Sequence, residues 1–443
     1  MTLITGSTAN QIAESVRGLV LRGDFTPGTV LPPIRTLAID LRVNRNTVAA
    51  AYRQLIAAGL AEAQGRRGTA ITALPEVHTE YLPEDSLVDL ASGNPDPALL
   101  PDLRQTLIEM PYDAPLYGAS AITERLLNVS RAMFEGHLDE SGTVVVTHGA
   151  VDAVERVLDS FVTRGDTVAV EDPCFLASIG TIRLNGYQRA AVPIDEAGMT
   201  APGLRHAIAN IGARAVIITP RAHNPTGACI TAERAAELRA VLADYPEVLV
   251  IEDDYLFGVS SAPYHRVTPP TTKRWALIRS VAKFLGPDLR LALVATDTRT
   301  AGVLGNRLRE GKNWVSHLLQ SATAHLLTDP DTVTRLRDAR AGYRERGRLM
   351  IDSLAEQGIS VFGDPDGLNV WIDLPDAESV DETESRLAEA HWAVKSSRLF
   401  AVDPFQPRHG IRVTTATIDA QQAARFAAAL AETFDALDIT RGN

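Results

Sequence analysis

The feature that most constrains this chain is a regular alternation of short apolar runs with helical stretches over about residues 143–296. The runs "TVVVT", "DTVAVEDP", "RAVIITP", "VLVIEDDY", "WALIRSVAK" and "RLALVAT" have the length and β-branched content of buried strands. Stretches such as "VDAVERVLDSFV" and "TAERAAELRAVLADY" have a helical apolar period instead. Alternation of this kind predicts an α/β fold, in which helices cover both faces of a mainly parallel sheet.

The unusual residues of the chain fall where these strands end, and ligands of such sheets gather at the carboxyl ends of strands. Gly149, Ala150 and Val151 follow the first run at a helix start, where free backbone N–H groups favour a phosphate. The later strand ends supply an amide, a carboxylate, a phenol, a hydroxyl, an amine and a guanidinium, from Asn224, Asp253, Tyr255, Ser280, Lys283 and Arg290.

Lys283 stands out because the chain has 43 basic residues and only four of them are lysines. Arginine serves wherever a positive charge suffices, whereas only lysine can lose its proton and attack a carbonyl to form a Schiff base. Four lysines can also survive by chance. With the other residues, however, the set fits pyridoxal 5'-phosphate (PLP), whose aldehyde needs a lysine, whose ring nitrogen needs an acid and whose phosphate needs donors.

Each motif also has a purely structural interpretation, as a turn, an acidic strand end or a common helix start. Their order and combination resemble the fold-type I aminotransferases of class I over about residues 88–420. The resemblance implies that Lys283 would form the internal aldimine and that Asp253 would pair with the pyridinium nitrogen. Tyr255 and Asn224 would donate to the ring oxygen. Phe175 would stack on the ring, with simple core packing as its alternative.

The same resemblance assigns the remaining positions. Ser280, Arg290 and the amides at the helix start would hold the phosphate. Tyr117, in "LYGAS", would reach the phosphate of a neighbouring subunit, which implies a homodimer, and Arg412, in "HGIRVTT", would grip an α-carboxylate. The chain departs from the family pattern at Val151, where a polar residue is usual. "YGASAITERL" also lacks the usual Asp-Pro-Gly, so the effector need not be a typical amino acid.

The N-terminal residues have a different organisation. Residues 9–22 have a helical apolar pattern, "LPPIRTLAIDLRV" and "NRNTVAAAYRQL" predict two helices around a tight turn, and "LAEAQGRRGTAIT" predicts two strands around a tip. This is the pattern of a winged helix-turn-helix. Asn44 is a plausible N-cap, and Arg45, Asn46 and Thr47 begin the helix that would face base edges in the major groove.

Charge supports the separation of this N-terminal head from the rest. Residues 1–75 hold eight arginines against four acidic residues, a net +4 in a chain whose total is −12, which leaves −16 for the remainder. A basic head on an acidic body is expected of a DNA-binding module attached to another domain. The alternative is a small α/β cap whose arginines only keep it in solution.

The head resembles the winged helix-turn-helix of GntR-type bacterial regulators over about residues 8–73. The resemblance implies DNA contacts by Arg35, Arg45 and Thr47, and by Arg66, Arg67 and Gly68 at the wing. Asn44 stands where the family usually has serine. A GntR-like head on an aminotransferase-like body resembles the MocR family of transcriptional regulators. "RAHNPTG" and "IRSVAKFLGPDLRLALVA" resemble its subgroup associated with vitamin B6 salvage.

The predicted domains are a head at 1–73, a linker at 74–86 and a body at 87–443. The body would divide into a large part at 87–330 and a smaller α+β part at 331–443. The linker has two prolines and no apolar period, and when extended it would span about 40–45 Å. That length would let the head lie against a partner subunit.

Several classes are disfavoured by the sequence. The start has no cationic segment followed by an apolar one, and no run approaches 18 apolar residues, so we expect a cytoplasmic protein without a membrane span. Two cysteines, Cys174 and Cys229, cannot build a disulfide framework and lack zinc-ligand spacing, so no metal is predicted.

Three functions remain open. The first is a regulator whose body senses PLP or a PLP–amine adduct and alters the fit of two heads to the half-sites of double-stranded operator DNA, a coupling of typically about 1–3 kcal/mol. The second is a working aminotransferase with an appended head, and the third an architectural DNA-binding protein with an inert dimerisation body. The concentrated positive charge of the head favours the first, because an enzyme has no use for it.

Overall fold

Apolar residues at helical spacing build the N-terminal unit of the computed structural model, which describes residues 3–57, 60–63, 68–71, 86–138, 142–307, 314–403 and 406–440. Its helices are α1 (Ala9–Leu21), α2 (Ile34–Asp40) and α3 (Arg45–Ala57). Strands β1 (Ala61–Ala63) and β2 (Thr69–Ile71) pair antiparallel as the wing. Buried residues from every helix and from β2, including Ile12, Leu37, Leu55 and Ile71, share one core. The predicted winged helix-turn-helix fold is confirmed.

A second compact unit comprises most of the chain from residue 86 onward. It begins with β3 (Val88–Asp89), α4 (Leu103–Glu109) and α5 (Glu124–Met133). The alternating segment then gives β4 (Thr143–Thr147), α6 (Ala150–Phe161), β5 (Thr167–Asp172), α7 (Leu176–Leu184), β6 (Gln188–Asp195), β7 (Gly198–Met199), α8 (Ala201–His206), β8 (Ala215–Ile218), α9 (Ala232–Ala243), β9 (Leu249–Asp253), β10 (Trp275–Ser280), β11 (Ala292–Thr296) and α10 (Thr298–Arg307).

These strands form one eight-stranded sheet in the order β4-β11-β10-β9-β8-β5-β6-β7. Strands β5, β8, β9 and β10 are parallel to their neighbours in that series, as the alternation predicts. Strand β11 is antiparallel to both β10 and β4. The connection from β10 to β11 is only residues 281–291, and this is too short for the helical crossover that a parallel neighbour requires.

The C-terminal part packs a smaller sheet against long helices. Its elements are α11 (His317–Thr328), α12 (Pro330–Glu356), β12 (Asn369–Asp373), α13 (Ala377–Glu389), β13 (Trp392–Ala393), β14 (Lys395–Ser396), β15 (Gly410–Thr414) and α14 (Ala420–Ala436). Strands β12, β15 and β14 form an antiparallel sheet, and β13 pairs with β3. Leu90 shares the core of Phe426 and Ile411, so the first body residues pack with the C-terminal part.

Two observations bear on the classes that the sequence disfavours. Within the described ranges, no helix is long and apolar enough to cross a membrane, and no three metal-ligating side chains are grouped. Both cysteines are free thiols. Burial raises the pKa of the Cys229 thiol to about 12 and that of the Cys174 thiol well above its ordinary value.

Leu37 and Ile39 lie on the same helix, α2, with 0 % and 68 % of their surface exposed. Replacing Leu37 by Ala removes buried methyl groups from the head core and should lower the free energy of opening of the head by about 2–5 kcal/mol. Hydrogen exchange of the α1 and α3 amides measures this. The matched variant Ile39→Ala should leave their exchange unchanged, and equal effects of both variants would contradict the core assignment.

Candidate functional site

The strand register places the predicted site residues at one edge of the large sheet. Asp253, the last residue of β9, pairs with Ile278 of β10, and Ser280 at the end of β10 pairs with Ala292 of β11. Ala292 in turn pairs with Thr147, the last residue of β4. The carboxyl ends of β9, β10 and β4 therefore lie side by side, as expected for a ligand site in a sheet of this kind.

An anion cradle lies at the start of α6. Gly149 has φ 95° and precedes Ala150, where the helix begins. Arg290 also has a left-handed backbone, with φ 42°, and its Nη2 lies 3.5 Å from the carbonyl oxygen of His148. A Cβ atom at Gly149 would stand 3.3 Å from that same nitrogen, so glycine leaves room for the guanidinium. The helix-start amides of Ala150 and Val151 and the guanidinium suit a phosphate.

Asp253 is a buried carboxyl whose Oδ1 atom has no hydrogen-bond partner among the described residues. Burial, reinforced by the negative charges of Asp254 and Glu171, raises its pKa to about 7. The carboxylate therefore lacks a positively charged N–H donor. A protonated pyridine nitrogen is such a donor, so this position fits the ring nitrogen of PLP.

The half-buried Lys283 follows β10 and reaches across the sheet edge. Its Nζ donates a hydrogen bond of 2.7 Å to the carbonyl oxygen of Gly93. The N–H of Gly93 donates in turn to Thr414 Oγ1 at 3.1 Å, which links this loop to β15. An amine at this edge of the sheet is placed to attack the aldehyde of a ligand that binds there.

Two aromatic rings border the cluster. Tyr255 is 5 % exposed, and its ring is stacked on that of Phe175 with centroids 5.2 Å apart and 15° between planes. The two aromatic residues that the sequence assigns to the cofactor ring thus contact each other. Phe175 precedes α7, and Tyr255 comes two residues after Asp253, so the pair joins two separate strand ends.

Asn224 and Arg412 are also brought together, across 188 positions of sequence. Arg412 is fully buried on β15, and its Nη1 donates to Asn224 Oδ1 at 3.0 Å. Its Nη2 donates to the carbonyl oxygen of Ala91, and the guanidinium lies 5.1 Å from the centre of the Phe400 ring. The guanidinium therefore connects the C-terminal sheet to the turn that follows β8.

Tyr117 lies on the surface with 88 % of its area exposed. Its ring packs on that of Trp314, with centroids 5.6 Å apart. The predicted contact with a neighbouring subunit's phosphate stays a prediction.

The sequence reasoning missed a buried charge cluster beside the site. Asp254, with no exposed surface, accepts hydrogen bonds of 3.0 and 2.7 Å from Arg221 and one of 3.0 Å from Arg279. The Arg279 guanidinium also lies 5.0–5.4 Å from the ring centres of Phe134, Phe257 and Tyr264. The doubled acid in "IEDDY" was a signal that one carboxylate needs a separate partner.

The predicted contact residues of the head lie at the start of α3, at the start of α2 and at the wing. Asn44 Oδ1 accepts from the N–H of Asn46 at 2.8 Å, which gives α3 the side-chain cap that the sequence predicts. Arg35, Arg45 and Asn46 are exposed and Thr47 is half-buried. Gly68 has φ 97°, which favours glycine at the end of the wing turn. Arg66 and Arg67 lie outside the described residues.

These features define a protein with a winged helix-turn-helix and an aminotransferase-type body. The family "Aminotransferase class I and II" matches residues 85–430, and "Bacterial regulatory proteins, gntR family" matches residues 8–71. The chain belongs to the aminotransferase class I and II family and carries a GntR-type head, which is the MocR arrangement of transcriptional regulators.

The chain is similar over most of its length to proteins named as transcriptional regulators. The chain is 44 % identical over 428 residues to the vitamin B6 salvage pathway transcriptional repressor PtsJ of Salmonella typhimurium, covering 96 % of this chain and 98 % of that one. It is 27 % identical to the pyridoxine biosynthesis transcriptional regulator PdxR of Corynebacterium glutamicum, over 79 % of each.

Among solved structures, the kynurenine aminotransferase of Pyrococcus horikoshii superimposes with a TM-score of 0.72 at 19 % identity, over 80 % of this chain and 92 % of that one. The α-aminoadipate aminotransferase LysN of Thermus thermophilus gives 0.69 at 22 % identity, over 80 % and 94 %. At these identities the likeness establishes the fold, and the predicted fold-type I aminotransferase body is confirmed.

The raised pKa of Asp253 predicts a pH dependence of stability in the ligand-free protein. The folded state holds this proton up to about pH 7, whereas an unfolded aspartate releases it near its ordinary value of 3.8. Stability should therefore fall as pH rises between these values, and less steeply in Asp253→Asn. Denaturant midpoints at pH 5 and pH 8 measure the difference. Asp338→Asn, at a side chain 70 % exposed, is the control and should keep the wild-type slope.

Proposed function

We propose that this protein is a cytoplasmic, PLP-binding transcriptional regulator whose aminotransferase-type body senses PLP or a PLP–amine adduct and controls operator binding by the head. The observation that carries the proposal is the buried Oδ1 of Asp253, which has no hydrogen-bond partner in the described parts of the chain and lies at the same sheet edge as Lys283 and the Arg290 cradle. A protonated pyridine ring would supply this carboxyl with a positively charged N–H donor.

Each polar part of PLP has a matching group in this arrangement. Ser280, Arg290 and the amides of Ala150 and Val151 would hold the phosphate, and Asp253 would accept from the ring nitrogen. Asn224 and Tyr255 would donate to the ring oxygen, while Phe175 would border the ring. When bound, PLP supplies an aldehyde that reacts with amines, and Lys283 supplies the amine of the protein.

The regulatory role rests on the combination of this pocket with the head. A winged helix-turn-helix whose α3 starts with exposed Arg45 and Asn46 has the geometry for major-groove contacts. The names of the relatives PtsJ and PdxR refer to vitamin B6 pathways, and we infer that this protein regulates genes of vitamin B6 metabolism. A homodimer, with Tyr117 serving the partner's phosphate site, would present two heads to two operator half-sites. Arg412 would hold the carboxylate of an amino-acid effector.

Lys283→Ala should abolish the visible absorption that appears when purified wild-type protein is mixed with PLP, because no other amine lies at the sheet edge in the described structure. Lys283→Arg should also stay colourless, since arginine keeps the charge and cannot form the imine. Lys273→Ala removes a lysine whose side chain is 62 % exposed and should stay coloured. A colourless wild type would exclude the cofactor assignment, and turnover of amino acids at ordinary enzyme rates would favour an aminotransferase.

Arg45→Ala should weaken binding to a promoter fragment of the regulated genes by about five- to 150-fold, because a base-edge contact contributes about 1–3 kcal/mol. Fluorescence anisotropy with labelled DNA measures the affinity, and the PLP absorption should stay intact. Arg53→Ala, toward the other end of α3, is the matched control with the same charge change and should bind with nearly wild-type affinity. Unchanged DNA binding by Arg45→Ala would contradict the assignment of the head.

A further inference from the structure

A second concave site lies along α12, and its lining includes none of the residues assigned to the cofactor. Its volume is about 500 Å³, within the range of small-molecule pockets. Four arginines line it, at positions 337, 340, 344 and 348 of one helix, together with Ser261 from the segment after β9. Spacings of three and four residues place these arginines on one face of the helix.

The guanidinium groups of this pocket are poorly neutralised. Arg340, Arg344 and Arg348 form no ion pair within 4.0 Å with any carboxylate of the described residues, and Arg337 has only its neighbour Asp338 at 3.5 Å. The lining includes two carboxylates, Glu345 and Asp352, against the four arginines. Like charges four positions apart on a helix repel, so the stripe does not help the helix to form.

A further carboxylate, that of Asp366, is engaged by the segment that contributes Ser261 to the lining. Asp366 Oδ2 accepts from the N–H of Ser261 at 2.9 Å and from that of Ala262 at 3.0 Å, and also from the Ser260 hydroxyl. Burial and the positive charge of Arg221 lower the pKa of Arg340, while Asp366 opposes this effect. The pocket thus combines an ordered wall with a surplus of positive charge.

This surplus contrasts with the body as a whole, which carries a strong net negative charge in its sequence. An open concavity that gathers four arginines in an acidic body has the donor set for phosphate oxygens, which guanidinium groups bind in a bidentate manner. A concave shape of this size favours a small ligand over a nucleic-acid backbone, which binds along extended surfaces. We propose that this pocket binds a small organic phosphate or pyrophosphate, separately from the cofactor site.

The backbone connects this pocket to the cofactor site by a short path. Ser261 donates to Asp366, and the N–H of Asp366 donates to the carbonyl oxygen of Gly227 at 2.9 Å. Gly227 is in the same turn as Asn224, and a Cβ at Gly227 would come within 2.5 Å of Pro365. The wall of the second site is therefore packed tightly against the turn that carries a proposed cofactor ligand.

Inorganic pyrophosphate is the probe for this site, titrated calorimetrically into the full-length protein at low salt. Arg290→Gln weakens the cofactor cradle and should leave one saturable site per chain in α12. Adding Arg344→Gln and Arg348→Gln should weaken that site at least about tenfold, corresponding to about 1.4 kcal/mol. Arg344→Gln and Arg348→Gln are also added one at a time to Arg290→Gln. Arg335→Gln, on the same helix but outside the lining, removes the same single charge and is their control; added to Arg290→Gln, it should leave pyrophosphate binding unchanged.

Absence of saturable pyrophosphate binding in Arg290→Gln would overturn the proposal, as would equal binding with and without Arg344 and Arg348. A parallel titration with promoter DNA tests the alternative ligand. Loss of DNA affinity in Arg344→Gln/Arg348→Gln with unchanged pyrophosphate binding would reassign the stripe to DNA phosphates. None of these readouts needs PLP, so the outcome is independent of the absorption test of the cofactor site.

Discussion

One buried carboxylate, that of Asp254, holds the site together. It is shared by Arg221, which follows β8, and Arg279, which lies on β10, while Asp254 itself directly follows β9. Three adjacent strand ends are therefore joined through a single charged group. Each member of this triad is adjacent or close in sequence to a proposed ligand of PLP, namely Asn224, Asp253 and Ser280. Removal of the shared carboxylate would leave two buried guanidinium groups uncompensated, which typically costs several kcal/mol.

The triad also explains why no described arginine pairs with the neighbouring Asp253. The carboxylate to which both arginines donate is that of Asp254, and their other donors go to the carbonyl oxygens of Ala262 and Met133. Asp253 therefore experiences the negative charges of Asp254 and Glu171, while its Oδ1 has no hydrogen-bond donor among the described residues. The fold thereby keeps the Asp253 carboxyl in an environment that disfavours its charge, while both oxygens of Asp254 accept hydrogen bonds from arginines. A ligand with a positively charged N–H can donate to Asp253 and gains this interaction on binding. Binding therefore stabilises those conformations of the body in which the ligand reaches Asp253.

The sequence predicted those parts of the site that are properties of strand ends. Lys283, Asp253 and Gly149 could be identified because each follows an apolar run directly, and the head could be identified from local helix and turn patterns. The sequence could not predict the pairing of Arg412 with Asn224 or of Lys283 with Gly93, since these contacts join segments about 190 positions apart. The α12 pocket was missed because arginines mixed with acids on a long helix usually mark a solvated face.

The uneven use of lysine and arginine acquires a physical reason in this structure. Buried arginines make the hydrogen bonds that connect separate segments of the body. Arg221 and Arg279 both donate to the carboxylate of Asp254, and Arg412 donates to the Asn224 amide oxygen and to the carbonyl oxygen of Ala91. These roles need several fixed donors and a charge that persists in a dry interior, and a guanidinium provides both. An ammonium offers neither geometry nor a permanent charge when desolvated. Lysine is therefore useful at a position such as 283 only where a group that can lose its proton is required, and Lys283 donates there to the carbonyl oxygen of Gly93.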